Sequence, residues 1–154
     1  MAVRVQTGDF DVGAELAALS HGNPAVGGVA SFIGLVRDMH TTGPEAGTGI
    51  RAMTLEHYPG MTERQLEAIE AEARARWPLE ATLIIHRHGR LEPGDRIVLV
   101  ACASPHREAA FQACHFLIDW LKTRAPFWKH EETAEGERWV AARAGDDAAA
   151  ARWT

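Results

Sequence analysis

The chain has 154 residues, 46% of them hydrophobic, which is enough for a globular domain with a sizeable core. Its formal charge of −5 at pH 7 argues against non-specific binding to nucleic acid or to an anionic membrane surface. The sequence starts without an apolar signal segment, and no run approaches the ~18 apolar residues of a membrane span. We therefore expect one soluble, cytoplasmic domain over residues 1–154.

Strands and helices are mixed in the predicted secondary structure. In the first half we predict a strand at 3–6, a helix at 11–20, a strand at 27–37, a loop at 38–50 and a strand at 51–58. In the second half we predict a helix at 62–77, strands at 81–91 and 95–104 with a turn at 92–95, a helix at 105–124, and after residue 136 a short strand or loop and a last helix. Asp11 and Ser104 are predicted helix caps, and Thr62 with Gln65 has capping-box spacing. This order predicts an α+β or α/β fold.

The cysteines and two of the histidines suggest structural roles. Cys102 and Cys114 lie in apolar stretches without CxxC spacing, which is typical of reduced core cysteines in a cytosolic protein. His86 and His88 share one face of a strand, but no third ligand stands at a suitable spacing for a metal. We predict that both histidines are structural and that no metal is bound.

Lys122 and Lys129 are the only lysines among the 16 basic residues. Arginine would serve equally well as a surface charge or at a helix C-terminus, whereas only lysine gives up its proton readily when desolvated. Between the two lies the apolar run Pro126-Phe127-Trp128, which would exclude water. We interpret the lysines as functional amines; the alternative is that two lysines escaped replacement by arginine by chance.

Two further groups of basic residues are candidate anion ligands. His106 and Arg107 open the long predicted helix, where free N–H groups and the helix dipole favour phosphate or carboxylate. Arg37 stands alone at the end of a strand. Each group also has a structural interpretation, as solvated side chains of a capped helix or as a surface ion pair with Asp38.

The predicted helix separates these groups in space. His106 and Lys122 are sixteen residues apart, which corresponds to ~24 Å along one helix. One small ligand cannot contact both ends, so the chain has two sites or two copies of it assemble one site. We predict a symmetric dimer in which His106 and Arg107 of one subunit approach Lys122 and Lys129 of the other.

Six stretches together resemble the large, catalytic subunit of molybdopterin synthase. They are GGVASFIGLVRD, LEHYPGM, IIHRHGRLEPGD, HREAAF, DWLKTRAPFWKHE and RWVAAR, and the resemblance runs from about Val26 to Trp153. The run LKTRAPFWK is the most specific of these motifs.

The resemblance implies a fold, a reaction and partners. The fold is of an α/β-hammerhead type with an additional α+β subdomain, in a single domain. The implied reaction is a sulfur transfer to cyclic pyranopterin monophosphate that forms the dithiolene of molybdopterin, without a cofactor. The large subunits form a homodimer, and each binds a small ubiquitin-like subunit whose C-terminal Gly-Gly thiocarboxylate enters the pocket, giving a heterotetramer.

The resemblance also implies site residues. Lys122 and Lys129 stand at the positions of the two essential lysines, and we assign Lys122 to the thiocarboxylate and Lys129 to the substrate. The other implied substrate-binding residues are Phe32, Leu35, Val36, Arg37, His106, Arg107, His130, Glu131 and Arg143, the last reaching the site from the neighbouring subunit. Trp128 is expected to shape the pocket.

A few positions depart from the family's usual residues. His130 stands where Lys or Arg is commoner, His88 where an aliphatic residue is usual and Ile118 where Met is frequent, and the loop at 40–49 is long. None of these changes removes a catalytic position.

Two other functions stay open from the sequence alone. A non-catalytic scaffold for the ubiquitin-like partner would use the two lysines only as charges. A phosphohydrolase or phosphate sensor would use His106 and Arg107, but the sequence shows neither a metal cluster nor a clear nucleophile for it.

Overall fold

The computed structural model describes residues 2–38, 49–134, 136–140 and 144–154. Within these residues it has four helices and two four-stranded sheets, so the predicted α+β class is confirmed. The elements are β1 (Ala2–Gln6), α1 (Val12–Ser20), β2 (Gly28–Leu35), β3 (Ala52–His57), α2 (Met61–Arg76), β4 (Ala81–Arg87), β5 (Gly89–Leu91), β6 (Arg96–Ser104), α3 (Arg107–Arg124), β7 (Phe127–Thr133), β8 (Gly136–Val140) and α4 (Ala144–Ala151).

The first sheet has the order β1-β4-β6-β2, with β1 parallel to β4 and the other pairs antiparallel. Because side chains alternate along a strand, the sheet buries apolar residues on both faces. One face packs on α2, α3 and α4 through a cluster that includes Leu66, Val100 and Phe116. The other face packs on α1 through a cluster that includes Leu83 and Leu99.

The second sheet has the order β5-β3-β7-β8 and is antiparallel throughout. Val36, Met53, Leu55 and Leu91 form a third buried cluster, against which Ile97 of β6 packs. This cluster therefore joins the second sheet to the end of the first.

The single strand predicted at 81–91 is wrong. The chain leaves the first sheet after Arg87 and enters the second at Gly89. Gly89 has a φ of 90°, a backbone conformation that favours glycine, and this is where the chain changes sheets. The predicted turn at 92–95 is confirmed, since the Asp95 N–H donates to the Glu92 carbonyl.

Of the predicted N-cap residues, Asp11 is confirmed, and the other two helices have a different N-cap. Asp11 caps α1, with its Oδ1 accepting from the Ala14 N–H at 3.0 Å. The second helix is capped at Gly60, whose N–H donates to the Glu63 carboxylate, while the predicted cap Thr62 is buried inside the first turn.

The third helix starts at Arg107 with His106 as N-cap, two residues after the predicted cap. Ser104 is the last residue of β6, and its buried hydroxyl donates to the Pro78 carbonyl and accepts from the His106 N–H at 3.2 Å. That hydroxyl therefore ties the end of β6 both to the chain after α2 and to the residue that begins the helix.

The later part of the chain contains a strand that the sequence analysis missed. β7 follows α3 and lies in the second sheet between β3 and β8. Where a short strand or loop was predicted from residue 136, the structure has the strand β8, and the predicted last helix is confirmed as α4. The predicted loop falls mostly on residues 39–48, which lie outside the described residues.

The two cysteines are free and buried, as predicted. Burial raises the pKa of the Cys114 thiol to about 11, and it raises the pKa of the Cys102 thiol further. Among the described helices, none is both long and apolar enough to cross a membrane.

Candidate active site

A cavity of about 670 Å³ opens between the two sheets, where α3 ends. Strands of both sheets, the C-terminal end of α3 and the first turn of α4 form its wall. Seven of the predicted site residues line it: Phe32, Leu35, Val36, Arg37, Lys122, Lys129 and Glu131. Trp128, which was expected to shape the pocket, lines it as well.

The end of β2 contributes an unbroken run of lining residues, 32–37. A regular strand would turn alternate side chains away from the cavity. The register with β6 shifts between Gly34 and Leu35, and such an irregularity re-aims the side chains that follow it. Gly34 lies close to β6, since a Cβ on it would stand 2.8 Å from Val98 Cγ1. This local geometry brings Arg37 to the cavity.

Lys122 reaches the cavity from the last turn of α3. The helix ends at Arg124, and the Ala125 N–H still donates to the Leu121 carbonyl. Pro126 follows directly and cannot continue the helix. The guanidinium of Arg124 lies 3.5 Å from the ring centroid of Trp120, and Arg124 is not a lining residue.

Lys129 and Glu131 reach the cavity from β7 by strand alternation. Phe127, Lys129 and Glu131 are two residues apart and share one face of the strand. Lys129 is paired with Leu55 of β3 on one side and Val140 of β8 on the other, so its backbone is held in the middle of the sheet.

His130 does not line the cavity, although it was predicted as a substrate-binding residue. Alternation places it on the opposite face of β7 from Lys129. Its ring lies 4.7 Å from the ring of Trp139, and its Nε2 lies 3.6 Å from the Glu137 carboxylate.

Three other predicted residues are also not found at this cavity. His106 and Arg107 are exposed at the N-terminal end of α3, while Lys122 lies at the other end, as the helix length predicted. Arg143 lies outside the described residues. A contribution of these three from a second copy of the chain stays a prediction.

The cavity carries both signs of charge on an apolar frame. Arg37, Lys122 and Lys129 supply three cations, and Glu131 and Asp146 supply two carboxylates. This mixture suits an anionic ligand that must also exchange protons with the wall.

Buried and exposed apolar residues divide the cavity into a floor and a rim. Val36, Met53 and Leu55 form a floor that is almost inaccessible to water. At the rim the exposed fractions are 53% for Leu35 and 41% for Trp128, whose ring packs edge-on against Tyr58. Such a rim offers apolar surface to an incoming partner.

Sequence analysis missed two polar residues of the wall, His86 and Asp146. His86 was predicted to be structural; its ring is buried and stacks on Phe127, with centroids 3.7 Å apart. Burial, together with the charges of Lys122 and Lys129, lowers the pKa of His86 to about 3. The charges of the two lysines thus act on a third titratable group, His86, which is distant from both along the sequence.

His88 does not join His86 in a metal site. Its ring lies 4.3 Å from that of His57, outside the cavity lining. Among the described His, Cys, Asp and Glu residues, no group of three or more could hold a metal ion.

Comparison with known proteins gives one consistent family. The family described as MoaE protein matches residues 5–124. The molybdopterin synthase catalytic subunit of Pseudomonas aeruginosa is 59% identical over 153 residues, covering 99% of both chains.

Solved structures share the fold. The molybdopterin biosynthesis MoaE protein of Burkholderia ambifaria is 55% identical, with a TM-score of 0.82 over 99% of this chain and 98% of that one. A complex of subunits 1 and 2 of the molybdopterin-converting factor from Helicobacter pylori contains a chain that is 19% identical, with a TM-score of 0.72 over 92% of this chain and 91% of that one. The second likeness concerns the fold alone.

Proposed function

This chain belongs to the MoaE protein family, and from that premise we propose that it transfers sulfur to cyclic pyranopterin monophosphate in the cavity at the end of α3. The resemblance predicted from the sequence is confirmed, and relatives at 50% to 59% identity are molybdopterin synthase catalytic subunits. Family membership therefore makes it an enzyme subunit of molybdenum cofactor synthesis. The dithiolene-forming sulfurtransferase reaction is our proposal.

One observation carries this proposal: the only two lysines of the chain line the same cavity. Lys122 comes from the end of α3 and Lys129 from β7, the next element of the chain, and both line this cavity. A lysine amine can donate or accept a proton, or take an acyl group for a time, whereas an arginine keeps its charge. Breaking an acyl–sulfur bond and protonating its products needs such groups.

The remaining charges of the wall suit the proposed substrate. A cyclic monophosphate is an anion, and Arg37 offers a planar, permanently charged partner for its oxygens. We assign Lys122 to the thiocarboxylate and Lys129 to the substrate. No bound cofactor enters this scheme.

The sulfur is proposed to arrive on a second protein. Neither cysteine lines the cavity, and burial keeps both thiols protonated. We propose a small ubiquitin-like partner with a C-terminal Gly-Gly thiocarboxylate, in keeping with the two-subunit complex from Helicobacter pylori. The exposed apolar rim around Leu35 and Trp128 is where its tail would enter.

The proposed assembly is a heterotetramer built on a homodimer of this chain. The dimer would bring His106, Arg107 and Arg143 of one subunit to the cavity of the other. The hammerhead-type description of the fold and the single domain over 1–154 belong to the same proposal. We place the reaction in the cytoplasm because both buried cysteines are free.

The test is a reconstitution with a thiocarboxylated small subunit and cyclic pyranopterin monophosphate, in which molybdopterin is measured as its oxidised fluorescent derivative. Wild type, Lys122→Arg and Lys129→Arg are compared at equal binding of the partner. We expect product from wild type and a loss of roughly 100-fold or more in each variant, because arginine cannot exchange the proton.

Arg124→Lys is the matched control, because it exchanges the same two residue types in the same helix turn outside the cavity. It should retain activity. Undiminished product in both lysine variants would show that charge alone matters. No product from wild type, with the partner still bound, would favour the scaffold.

A further inference from the structure

The last helix, α4, reaches the cavity with its first turn and contacts α3 with its other end. Asp146 lies in the first turn and lines the cavity, while Ala150 near the other end is buried in the main core. An isolated helix shorter than ~12 residues is marginal in water, and α4 has eight residues. It therefore depends on contacts with the rest of the chain to keep its place in the wall.

Trp153, two residues after α4, is bound to α3 by a hydrogen bond to Asp119. Its indole Nε1–H donates to the Asp119 carboxylate at 2.6 Å, and Asp119 is only 8% exposed. Hydrogen bonds to an ionised carboxylate are stronger than neutral ones. The guanidinium of Arg152 lies 3.5 Å from the same carboxylate, and the ring of His115 lies 3.4 Å from it. Asp119 thus gathers the residues that follow α4 onto α3.

The ring of Trp153 packs among other rings, which strengthens this attachment. It stands edge-on against three rings of α3 and of the chain after α2, those of Trp77, Phe116 and His115, with centroids 5.6, 5.8 and 5.6 Å away. Edge-to-face pairs at such distances are favourable. Two backbone carbonyls are bound as well: Arg76 donates to that of Trp153, and the Trp120 indole donates to that of Ala150 at 3.2 Å.

The same helix carries this attachment and a cavity lysine. Asp119 and Lys122 are three residues apart on α3, about one helical turn. From there α4 runs ~12 Å to its other end, where Asp146 lines the cavity. Because so short a helix moves as one body, holding its C-terminal end also holds its first turn in the wall.

We propose that Trp153 and Asp119, which we call the Trp153 clasp, are positioning residues that keep α4 in the cavity wall, an inference that rests on the proposed function of this cavity. With the clasp closed, the Asp146 carboxylate stands in the wall that also holds the two lysines and Arg37. With the clasp open, α4 leaves the wall and the substrate loses one side of its site. Residues outside the cavity thus set the fraction of the protein that can bind substrate.

Three substitutions test the clasp. Trp153→Phe keeps a ring among its neighbours and loses the indole donor, and Asp119→Ala loses the acceptor. Asp119→Asn keeps a carbonyl oxygen that can accept from the indole, so it should weaken the clasp least. Trp139→Phe is the matched control, because Trp139 is 59% exposed and does not line the cavity.

The direct readout is the rate at which acetic anhydride acetylates the lysines, followed by mass spectrometry without substrate. Lys122 and Lys129 are the only lysines and both line the cavity, so they report on its wall. Opening the wall admits the reagent, and removing the Asp146 carboxylate favours the neutral, reactive amines. Since a hydrogen bond to a charged group corresponds to roughly 10- to 100-fold in an equilibrium, we expect ~3- to 10-fold faster acetylation in Trp153→Phe and Asp119→Ala. Asp119→Asn and the control should stay close to wild type.

The second readout separates KM from kcat in the complete complex. Substrate binds only the protein whose clasp is closed, so the apparent KM rises by the factor by which this fraction falls. We expect a rise of up to ~10-fold in Trp153→Phe and Asp119→Ala. The closed complex is the same in wild type and variants, so kcat should stay within ~2-fold of wild type. A substitution that only damages the fold would lower kcat through the active fraction and leave KM unchanged.

The outcomes distinguish the clasp from the proposed function. Unchanged lysine acetylation in folded Trp153→Phe and Asp119→Ala, or a lower kcat with a wild-type KM, overturns the positioning role. If Asp119→Ala does not fold, Trp153→Phe and Asp119→Asn decide. Faster lysine acetylation together with no product from wild type would leave the clasp standing and refute the sulfur transfer.

Discussion

The two ends of α3 have different surroundings. At its C-terminal end, Lys122 enters a cavity bounded by both sheets and by the ring of His86. At its N-terminal end, His106 and Arg107 are exposed, and the chain before them packs backbone against backbone at Gly27. The helix has 18 residues and is ~27 Å long, so one small ligand cannot contact both ends.

The basic residues at the two ends of α3 therefore differ in their surroundings, although the sequence alone does not distinguish them. The cavity end holds a lysine among buried groups, where its proton equilibrium can be tuned. The far end holds solvated cations, which form a separate site or serve the cavity of another copy of the chain. The predicted dimer is the arrangement that would give both ends one task, and it stays a prediction.

The most direct test of this comparison is a dimer with one substitution in each subunit. One subunit is changed at the C-terminal end of α3 and the other at the N-terminal end. Lys122→Ala and Arg107→Ala are each expected to lower product formation, by roughly 100-fold for the lysine and ~10-fold for the arginine. A mixed dimer of the two, purified through two different tags, should regain about half of the wild-type rate. One of its two cavities then has an intact lysine and an intact arginine from the other subunit.

The contrary outcome is equally clear. If the cavity were completed within one chain, each cavity of the mixed dimer would carry one defect, and the rate would stay between those of the two single variants. The control is a mixed dimer in which both subunits carry Lys122→Ala, which should stay inactive under either arrangement.

The sequence predicted one end of α3 better than the other. The two lysines and Arg37 were selected by residue chemistry, and all three line the cavity. The helix start was misplaced by two residues: the Ser104 hydroxyl does accept from the His106 N–H, but Ser104 stays in β6, where its hydroxyl also donates to the carbonyl of Pro78, which is distant in sequence. A contact of that kind leaves no local signal.

One further miss shares this physical cause. β7 begins directly after Pro126 and ends in a charged stretch, and it is a strand because β3 and β8 pair with both of its edges. Tertiary pairing, not local propensity, decides its conformation.

The N-terminal end of α3 can be tested through Gly27. A Cβ at this position would stand 2.1 Å from the carbonyl oxygen of Pro105, and a backbone atom cannot move away as a flexible side chain would. We expect Gly27→Ala to lower the free energy of unfolding by about 1–3 kcal/mol in urea titrations.

Gly8→Ala is the matched control, because no atom lies within 4 Å of a Cβ added there. It should change the free energy of unfolding by less than ~0.5 kcal/mol. Equal stabilities of the two variants would show that the start of α3 is not fixed by this backbone contact.

The smallest expected effect concerns the buried imidazole of His86 near the C-terminal end of α3. Burial holds the pKa of His86 near 3, well below the ordinary histidine value of 6.5, so between these values the unfolded chain binds a proton that the folded chain excludes. Stability from the neutral ring is therefore complete above pH 6.5 and declines as the pH falls toward about 3, by about 1.4 kcal/mol per pH unit. Urea unfolding at pH 7.5 and pH 5.5 measures this slope in wild type and in His86→Gln. His86→Gln should show a shallower loss of stability than wild type, because it removes the buried imidazole. If His86→Gln kept the wild-type slope of stability against pH, other groups would cause the acid sensitivity. The buried, neutral imidazole of His86 would then make no contribution to it.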